Sequence, residues 1–171
     1  MKDSRSLSLL HTAPEESLSK VIREKTNIIY TPIDLEPEHY PHLSCIEADV
    51  TALPFPEEHF DVIVSNHVME HILDDDLFLS EMQRVLKPQG MFFLSFPYDK
   101  NREKTFQDDN IQSEADRLKY YGQQDHVRIY GRDVFEKLKR YFQLQIVTTA
   151  DIPMQFQQNW QDSECCILTK K

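Results

Sequence analysis

Short apolar runs alternate along the chain with stretches whose apolar residues recur at helical spacing. Leu18, Val21 and Ile22 stand at positions i, i+3 and i+4, the spacing of one helix face. The run 60–65 is apolar enough for a strand buried on both faces. The pattern predicts strands over Ser6–Leu10, Asn27–Ile33, Ser44–Ala48, Phe60–Ser65, Met91–Phe96, Leu144–Thr148 and Cys165–Leu168. It predicts helices over Pro14–Lys25, Asp74–Leu86 and Arg132–Tyr141.

Boundary signals accompany the first two predicted helices. Three consecutive aspartates from Asp74 open the second helix, where carboxylates suit capping and the helix dipole. The residues 87–90, Lys-Pro-Gln-Gly, stop the same helix. The first helix has two alternative starts, Pro14 at its first position or a capping box of Thr12 and Glu15.

The order of the elements predicts the fold class. Strands that alternate with helices are typical of an α/β domain with a mainly parallel sheet. No helix is predicted between the last two strands, so we expect an antiparallel pair at one edge of the sheet. The long polar stretch 97–130 is predicted to be irregular. Phe156 with Trp160 is interpreted as a flap over the core, with binding of an acceptor as the alternative role. We predict a single domain over residues 1–171 with a seven-stranded, doubly wound sheet.

The charge of the chain narrows the classes of function. Its 171 residues carry 19 Lys and Arg against 29 Asp and Glu, a formal net charge of −10. Phosphate backbones are bound by clustered basic residues, so we expect no nucleic-acid partner. No apolar run approaches the roughly 20 residues of a membrane span, and no signal peptide is recognisable, so we expect no membrane partner. Three cysteines, two of them adjacent, make no disulfide framework and indicate a reducing, cytoplasmic setting.

Glycine is scarce, and this excludes two kinds of phosphate site. The three glycines are Gly90, Gly122 and Gly131, so none lies in the first part of the chain. A Walker-type loop and a G-x-G-x-x-G turn both need glycines that let the backbone approach a phosphate. We therefore expect no pyrophosphate to be held on a glycine-rich turn.

Polar residues follow the predicted strands, at the edge where open parallel sheets bind ligands. Asp34 follows the second strand and Asp49 follows the third. A carboxylate at the end of the second strand is well placed to accept hydrogen bonds from both hydroxyls of a ribose. The turn and helix start after the first strand offer free backbone N–H groups. A nucleoside without phosphates suits this edge, which favours S-adenosylmethionine over NAD or FAD.

Several stretches resemble one known family. Residues 48–71, ADVTALPFPEEHFDVIVSNHVMEH, and 84–90, RVLKPQG, resemble the class I S-adenosylmethionine-dependent methyltransferases in order and spacing. Residues 10–15, LHTAPE, resemble a subgroup with a Leu-His-x-Ala-Pro-Glu turn in place of the glycine-rich loop. Residues 125–131, DHVRIYG, resemble the same subgroup. The resemblance covers nearly the whole chain and implies a Rossmann-like fold.

The resemblance implies a site for S-adenosylmethionine, with S-adenosylhomocysteine as the product. The turn over residues 11–15 would hold the methionine moiety, and Asp34 would bind the ribose. Asp49 would take the adenine amino group, and Val50 would offer its backbone N–H. The residue after the fourth strand and its neighbour would line the pocket beside the sulfonium. The implied cofactor-binding residues are His11, Thr12, Ala13, Glu15, Asp34, Asp49, Val50, Asn66 and His67.

The resemblance implies no universal catalytic residue. A methyl group on a sulfonium is already activated, so proximity and in-line orientation supply much of the acceleration. A base is needed only where the nucleophile must lose a proton, and the catalytic residues are left unassigned. Binding residues concentrate in long loops such as the one after the fifth strand. The acceptor-binding candidates, with packing as the alternative role, are His71, Tyr98, His126, Arg128 and Tyr130.

Residues 67–71 spell H-x-x-E-H, the pattern of one class of zinc site. That site needs both histidines one turn apart on a helix and a third ligand elsewhere. Here the pattern directly follows a strand, so His67 is predicted to fall in a turn, and we expect no metal. Glu70 and His71 are predicted to edge the pocket or to cap the following loop.

We expect the domain to transfer a methyl group from S-adenosylmethionine to a small-molecule or protein acceptor. The alternative is a methyltransferase-like binding or scaffold protein without turnover. The resemblance also implies a cover segment before the first strand, and we expect this domain to lack it, because the sequence starts close before that strand. We then expect cover from residues 97–130 or from a partner subunit, which makes a homodimer a hypothesis.

Overall fold

The computed structural model describes residues 5–148, 151 and 164–171. The predicted flap with Phe156 and Trp160 lies outside the described residues. The strands are β1 (Leu7–Thr12), β2 (Ile28–Asp34), β3 (Ile46–Glu47), β4 (Phe60–Asn66), β5 (Leu86–Ser95), β6 (Phe142–Thr148) and β7 (Glu164–Lys170). The helices are α1 (Glu16–Arg23), α2 (Asp75–Val85), α3 (Glu114–Tyr121) and α4 (Asp133–Tyr141), with short 3-10 turns at Pro37–His39 and Met69–His71.

The described strands form one seven-stranded sheet in the order β3-β2-β1-β4-β5-β7-β6. β1 pairs in parallel with β2 and β4, β2 with β3, and β4 with β5. β7 runs antiparallel to both β5 and β6, so the β6–β7 pair closes one edge of the sheet. This confirms the predicted α/β class, with a mostly parallel sheet and an antiparallel edge pair. The strand order reverses between β1 and β4, which places the switch point at their carboxyl ends.

β1 extends further than the sequence predicted, to Thr12 rather than Leu10. His11 was expected in the following turn, but it lies in the sheet and is fully buried. Both polar side chains at this strand end have partners, because the Thr12 hydroxyl donates to Ser65 Oγ at 2.7 Å and both ring nitrogens of His11 are hydrogen-bonded. Pairing on both sides of β1 therefore carries the strand past its apolar run.

α1 begins after Glu15, later than predicted. Glu15 is the N-cap residue, and its side chain makes no capping hydrogen bond. The Thr12 hydroxyl is used by Ser65, so the predicted capping box is absent, and Pro14 precedes the cap instead of opening the helix. Ala13 has a φ of 46°, in the left-handed region. This turn redirects the chain out of β1 and thereby delays the helix.

The polar stretch 97–130 contains a helix, α3, that the sequence analysis missed. The side chain of Ser113 accepts a hydrogen bond from the backbone N–H of Asp116 at 3.1 Å. Gly122 follows the helix at a φ of 86°, the left-handed C-terminal position that favours glycine. Both boundary signals are therefore in the sequence. The apolar stripe is weak, since Tyr121 is the buried residue of the helix, and that is why the periodicity did not show it.

Both ends of α2 follow the boundary signals in the sequence. The Asp74 carboxylate caps the helix by accepting from the Leu77 N–H at 3.0 Å. β5 starts directly after the helix, at Leu86, although the prediction placed its start at Met91. Phe60 pairs with Leu86 and Val62 with Met91, so residues 87–90 bulge out of the β4–β5 ladder. Residues 87–90, which were predicted to stop the helix, therefore form a bulge near the start of β5.

Helices pack on both faces of the sheet, as the doubly wound plan predicts. The main core cluster includes the fully buried Phe60, Phe78, Phe92 and Leu138. A smaller cluster of Leu9, Ile22 and Val64 holds α1 against the sheet. Each large apolar side chain buried in this way contributes about 1.5–3 kcal/mol. No helix within the described ranges is long and apolar enough to cross a membrane.

Candidate functional site

A cavity of about 500 Å³ opens at the carboxyl ends of β1, β2 and β4. Its volume falls within the roughly 300–1,000 Å³ typical of small-molecule sites. Its position is the switch point of the sheet, where α/β domains bind their ligands. The apolar lining comes from Ala13, Ile33, Leu35, Ala48, Val50, Val68 and Ile72. The polar lining comes from Thr12, Asp34, Glu36, His67, His71 and Asp125.

Asp34 ends β2 and lines the cavity with a partly used carboxylate. Its Oδ1 accepts from the Glu36 N–H at 2.9 Å, and its Oδ2 accepts from the Tyr40 hydroxyl at 3.1 Å. Burial and the nearby Asp34 charge raise the pKa of Tyr40, so the hydroxyl remains a donor. A carboxylate has about four lone-pair positions in all. Each oxygen of Asp34 therefore keeps capacity for one more donor.

His11 and Glu15 form a hydrogen-bonded pair next to the turn after β1. The Nε2–H of His11 donates to Glu15 Oε2 at 2.7 Å, and the Tyr30 hydroxyl donates to His11 Nδ1 at 2.9 Å. Burial alone would raise the pKa of Glu15, but hydrogen bonds from His11, from its own backbone N–H and from Asn66 lower it. His11 is fully buried and is not among the lining residues. Its evident action is to hold an ionised Glu15 at the start of α1.

Two residues that line the cavity have left-handed backbones. Ala13 follows β1 with a φ of 46°, and its N–H donates to Ile33 O at 3.0 Å. His67 follows β4 with a φ of 52°, and its N–H donates to Ser95 O at 3.0 Å. This conformation costs a non-glycine residue about 1–2 kcal/mol. Both turns therefore line the cavity in a backbone conformation that usually favours glycine, although neither residue is a glycine.

The remaining predicted cofactor residues divide into two groups. Thr12 and Val50 line the cavity. Asp49 is exposed, and its Oδ1 accepts from the backbone N–H and the hydroxyl of Thr51, both at 2.7 Å. Asn66 Oδ1 accepts a hydrogen bond from a serine of β5 at 2.8 Å. Neither Asp49 nor Asn66 is among the lining residues, so their contact with a cofactor stays a prediction.

Arg128 and Tyr130 were predicted to bind an acceptor, but the structure places them in a buried network. Their exposed fractions are 2% and 1%. Arg128 donates to Leu73 O at 2.7 Å and to the Tyr130 hydroxyl at 2.9 Å, and it lies 3.1 Å from Asp75 Oδ2. The Tyr130 hydroxyl lies 2.9 Å from Asp75 Oδ2 and 3.2 Å from Met69 O, and burial raises its pKa above the usual range. These contacts support packing, the alternative role, because they anchor the 3-10 turn after β4 and the start of α2.

The other acceptor candidates are also separated by the fold. Tyr98 packs on Phe135, with ring centroids 5.1 Å apart, and is not among the lining residues. His71 lines the cavity, and its ring centroid lies 4.9 Å from that of His126. His126 is 6% exposed, and burial together with the neighbouring His71 lowers its pKa. The structure thus brings two candidates, His71 and His126, together beside the cavity.

Glu70 occupies an unusual position in this group. It is 1% exposed, and its Oε1 lies 3.5 Å from His67 Nδ1. Neither of its carboxylate oxygens accepts a hydrogen bond from any residue that the structure describes. The predicted role as an edge or cap residue is therefore not what these contacts show. The only sequence signal for Glu70 was its place in the H-x-x-E-H pattern.

Comparison with known proteins shows what the chain is similar to. Residues 13–94, just under half of the chain, match the family described as Methyltransferase domain. The chain is 40% identical over 58 residues to a probable S-adenosylmethionine-dependent methyltransferase of Mycolicibacterium smegmatis, a match over 34% of this chain and 23% of the relative. It is 45% identical over 49 residues to the ubiquinone/menaquinone biosynthesis C-methyltransferase UbiE of Shewanella frigidimarina, over 29% of this chain and 20% of the relative.

Solved structures support the same fold. A putative methyltransferase of Haloferax volcanii, solved in complex with the Trm112 methyltransferase activator, has a TM-score of 0.64 at 14% identity, over 99% of this chain and 85% of that chain. The YcgJ protein of Bacillus subtilis has a TM-score of 0.62 at 12% identity, over 99% of this chain and 94% of that chain. At such identities the likeness shows the fold alone. The matched stretches of this chain span less than a quarter of the length of each of the two curated relatives.

Proposed function

We propose that this domain binds S-adenosylmethionine in the cavity at the strand ends and transfers its methyl group to an acceptor. The observation that carries the proposal is the Asp34 carboxylate, which ends β2, lines the cavity and keeps capacity for one donor on each oxygen. A ribose offers two neighbouring hydroxyl donors to such a carboxylate. The match to the methyltransferase family supports the same ligand.

The other lining residues fit the remaining parts of this cofactor. Ile33, Val50 and Ile72 supply an apolar surface against which an adenine ring would pack. The Ala13 turn leads to Glu15, whose carboxylate would attract the ammonium group of the methionine moiety. The proposed pose thus puts the base against the apolar lining and the ribose against Asp34, with Glu15 at the turn next to the cavity.

When bound, S-adenosylmethionine supplies a methyl group already activated on its sulfonium. The contribution of the chain is to position the two reactants, which is the major source of acceleration in such a transfer. Asp34 and Glu15 would hold the cofactor at two points. His67 lines the same cavity and would accept a proton from an acceptor that must lose one.

For the acceptor we propose a small molecule, because the cavity has the volume of a small-molecule site and the chain carries a net charge of −10. That charge disfavours a nucleic acid. We also propose a cytoplasmic setting, which the three cysteines without a disulfide-like spacing support.

The proposed function is tested by calorimetric titration of the purified chain with S-adenosylhomocysteine, with NADH as the control ligand. We expect micromolar binding of S-adenosylhomocysteine and no binding of NADH. Equal binding of both ligands, or none of the first at millimolar concentration, would overturn the proposal. Tight cofactor binding without transfer to any acceptor in a screen would favour the non-catalytic alternative.

A further inference from the structure

Glu70, His71 and His126 form a cluster beside the cavity, and His71 is the member that lines it. One carboxylate oxygen and two imidazole nitrogens from these residues lie within 4.8 Å of one another. Glu70 and His71 belong to the 3-10 turn that follows β4, whereas His126 comes from the segment after α3. The fold therefore brings together three metal-ligating side chains from distant parts of the sequence.

The state of Glu70 is the second, independent observation. Its side chain is 1% exposed, and neither carboxylate oxygen has a hydrogen-bond partner among the described residues. Burial of a carboxylate without hydrogen-bond partners is strongly unfavourable, and buried charges are normally paired or coordinate metal ions. Glu70 thus has the geometry of a ligand whose partner is a cation.

Neighbouring groups hold the cluster in place. The Nδ1 of His71 lies 3.3 Å from Asp125 Oδ2, the arrangement in which a carboxylate orients a ligating imidazole. The backbone N–H of Val127 donates to Glu70 O at 3.1 Å, which ties the segment of His126 to the 3-10 turn. That turn is in turn anchored by Tyr130, whose hydroxyl lies 3.2 Å from Met69 O.

We propose that Glu70, His71 and His126 bind a divalent transition-metal ion of the zinc type beside the cavity. Two imidazoles and one carboxylate are a ligand set of catalytic zinc sites, in which the fourth position stays open. Bonds of about 2.0–2.2 Å in a tetrahedral site place ligand atoms about 3.4 Å apart. The ligand atoms lie within 4.8 Å of one another, so binding would draw them closer together by about 1 Å.

The open position would face the cavity, because His71 is both a member of the cluster and a lining residue. A water molecule or an oxygen atom of an acceptor would occupy it. The sequence argued against a metal because the H-x-x-E-H pattern places His67 in a turn after a strand, and the proposed site uses Glu70, His71 and His126 instead. The metal site does not depend on the proposed methyl transfer, and its test uses the metal ion alone.

The test starts from the purified chain after dialysis against a chelator. Calorimetric titration with Zn²⁺ is expected to show one equivalent bound, and Co²⁺ is expected to give the visible absorption of a tetrahedral site without a sulfur-to-metal band. Glu70→Gln and His126→Asn are each expected to weaken binding by at least about 100-fold, and Asp125→Asn by about 10-fold. His42→Asn, at an exposed histidine outside the cluster, is the matched control and is expected to bind like the wild type.

A folding measurement separates a ligand from a structural carboxylate. Without metal, Glu70→Gln is expected to melt at the same temperature as the wild type or higher, because the buried carboxylate that it replaces has no hydrogen-bond partner among the described residues. Added Zn²⁺ is expected to raise the melting temperature of the wild type and not that of Glu70→Gln. Absence of Zn²⁺ and Co²⁺ binding at millimolar concentration, a cysteine-type cobalt spectrum, or unchanged binding in Glu70→Gln and His126→Asn would each overturn the proposal.

Discussion

The two ends of the strands differ in how a carboxylate of low exposure is hydrogen-bonded. At the amino ends of the strands, Asp61 is 11% exposed and accepts hydrogen bonds from Ser8, Lys87 and Arg5 at 2.7–2.9 Å. At the carboxyl end of β4, Glu70 is 1% exposed and accepts none from the described part of the chain. Asp61 lies in β4, and Glu70 lies in the 3-10 turn that follows it. The amino ends of the strands therefore complete an ion cluster, whereas the carboxyl end of β4 leaves hydrogen-bonding capacity unused.

The comparison shows which end of the strands has carboxylate oxygens available to accept hydrogen bonds from a ligand. Lys87 and Ser8 fill the acceptor positions of Asp61, so that edge gains stability and offers little to a ligand. Asp34 and Glu70 lie at the opposite edge with acceptor positions still open. The segment after β4 is stabilised by the buried network of Arg128, which contacts Leu73 and Asp75.

The largest effect is expected from breaking that network. Arg128→Met leaves Asp75 and the Leu73 carbonyl without the guanidinium, and removal of one partner of a buried ion pair typically costs about 3–5 kcal/mol. Urea denaturation of the variant measures this loss. Arg140→Met is the control, because its pair with Asp76 is exposed and its removal is expected to cost less than about 1 kcal/mol. Equal losses of unfolding free energy in the two variants would show that Arg128 does not stabilise this region.

The next effect sharpens the contrast between Asp61 and Glu70. Burial alone would raise the pKa of Asp61, but hydrogen bonds from Lys87 and Ser8 hold it well below its usual range. Asp61→Asn is expected to lower the free energy of unfolding by about 2 kcal/mol at pH 7. The contribution is complete above the usual pKa of about 3.9 and is lost as the pH falls further.

Denaturation of wild type and Asp61→Asn between pH 7 and acid measures that dependence. The stability gap between the two is expected to narrow below about pH 4, since the folded-state pKa is depressed. A gap that stays constant into strong acid would contradict the assignment. Lys87→Met, which removes the cationic partner, is expected to shift the same acid limb.

A smaller effect on affinity is expected at the cavity edge. Asp34→Ala removes the acceptor proposed for the ribose hydroxyls and is expected to weaken S-adenosylhomocysteine binding about 10–100-fold, or about 1.4–2.8 kcal/mol. Calorimetry measures the affinity, and Asp109→Ala, an exposed carboxylate elsewhere, is the control. Unchanged affinity in Asp34→Ala would show that the ribose assignment is wrong.

The smallest effect separates stability from binding. Asp74 caps α2 by accepting from the Leu77 N–H, and loss of such a cap typically costs about 1 kcal/mol. Asp74→Ala is therefore expected to lower the melting temperature slightly and to leave S-adenosylhomocysteine affinity unchanged. Asp74→Ser keeps a capping oxygen and is expected to recover most of the loss. A fall in affinity without a fall in stability would place Asp74 in the site instead.

The sequence by itself determined the fold class and the part of the site that depends on local order. Apolar runs alternate with helical stripes, and that periodicity is enough for a mostly parallel sheet with an antiparallel edge pair. Asp34 was predicted at the end of the second strand, and it lies there and lines the cavity. These features depend on residues close together in the chain, where spacing alone carries the information.

Tertiary structure decided the rest, because it depends on contacts between distant residues. His11 entered the sheet since β1 pairs on both sides, and Arg128 became an anchor through contacts with residues 55 positions away. α3 escaped the periodicity because it buries too little apolar surface. His126 meets Glu70 only when the segment after α3 folds back on the turn after β4. Local patterns describe what each segment can form, whereas the burial and pairing of polar groups are settled only by the neighbours that folding supplies.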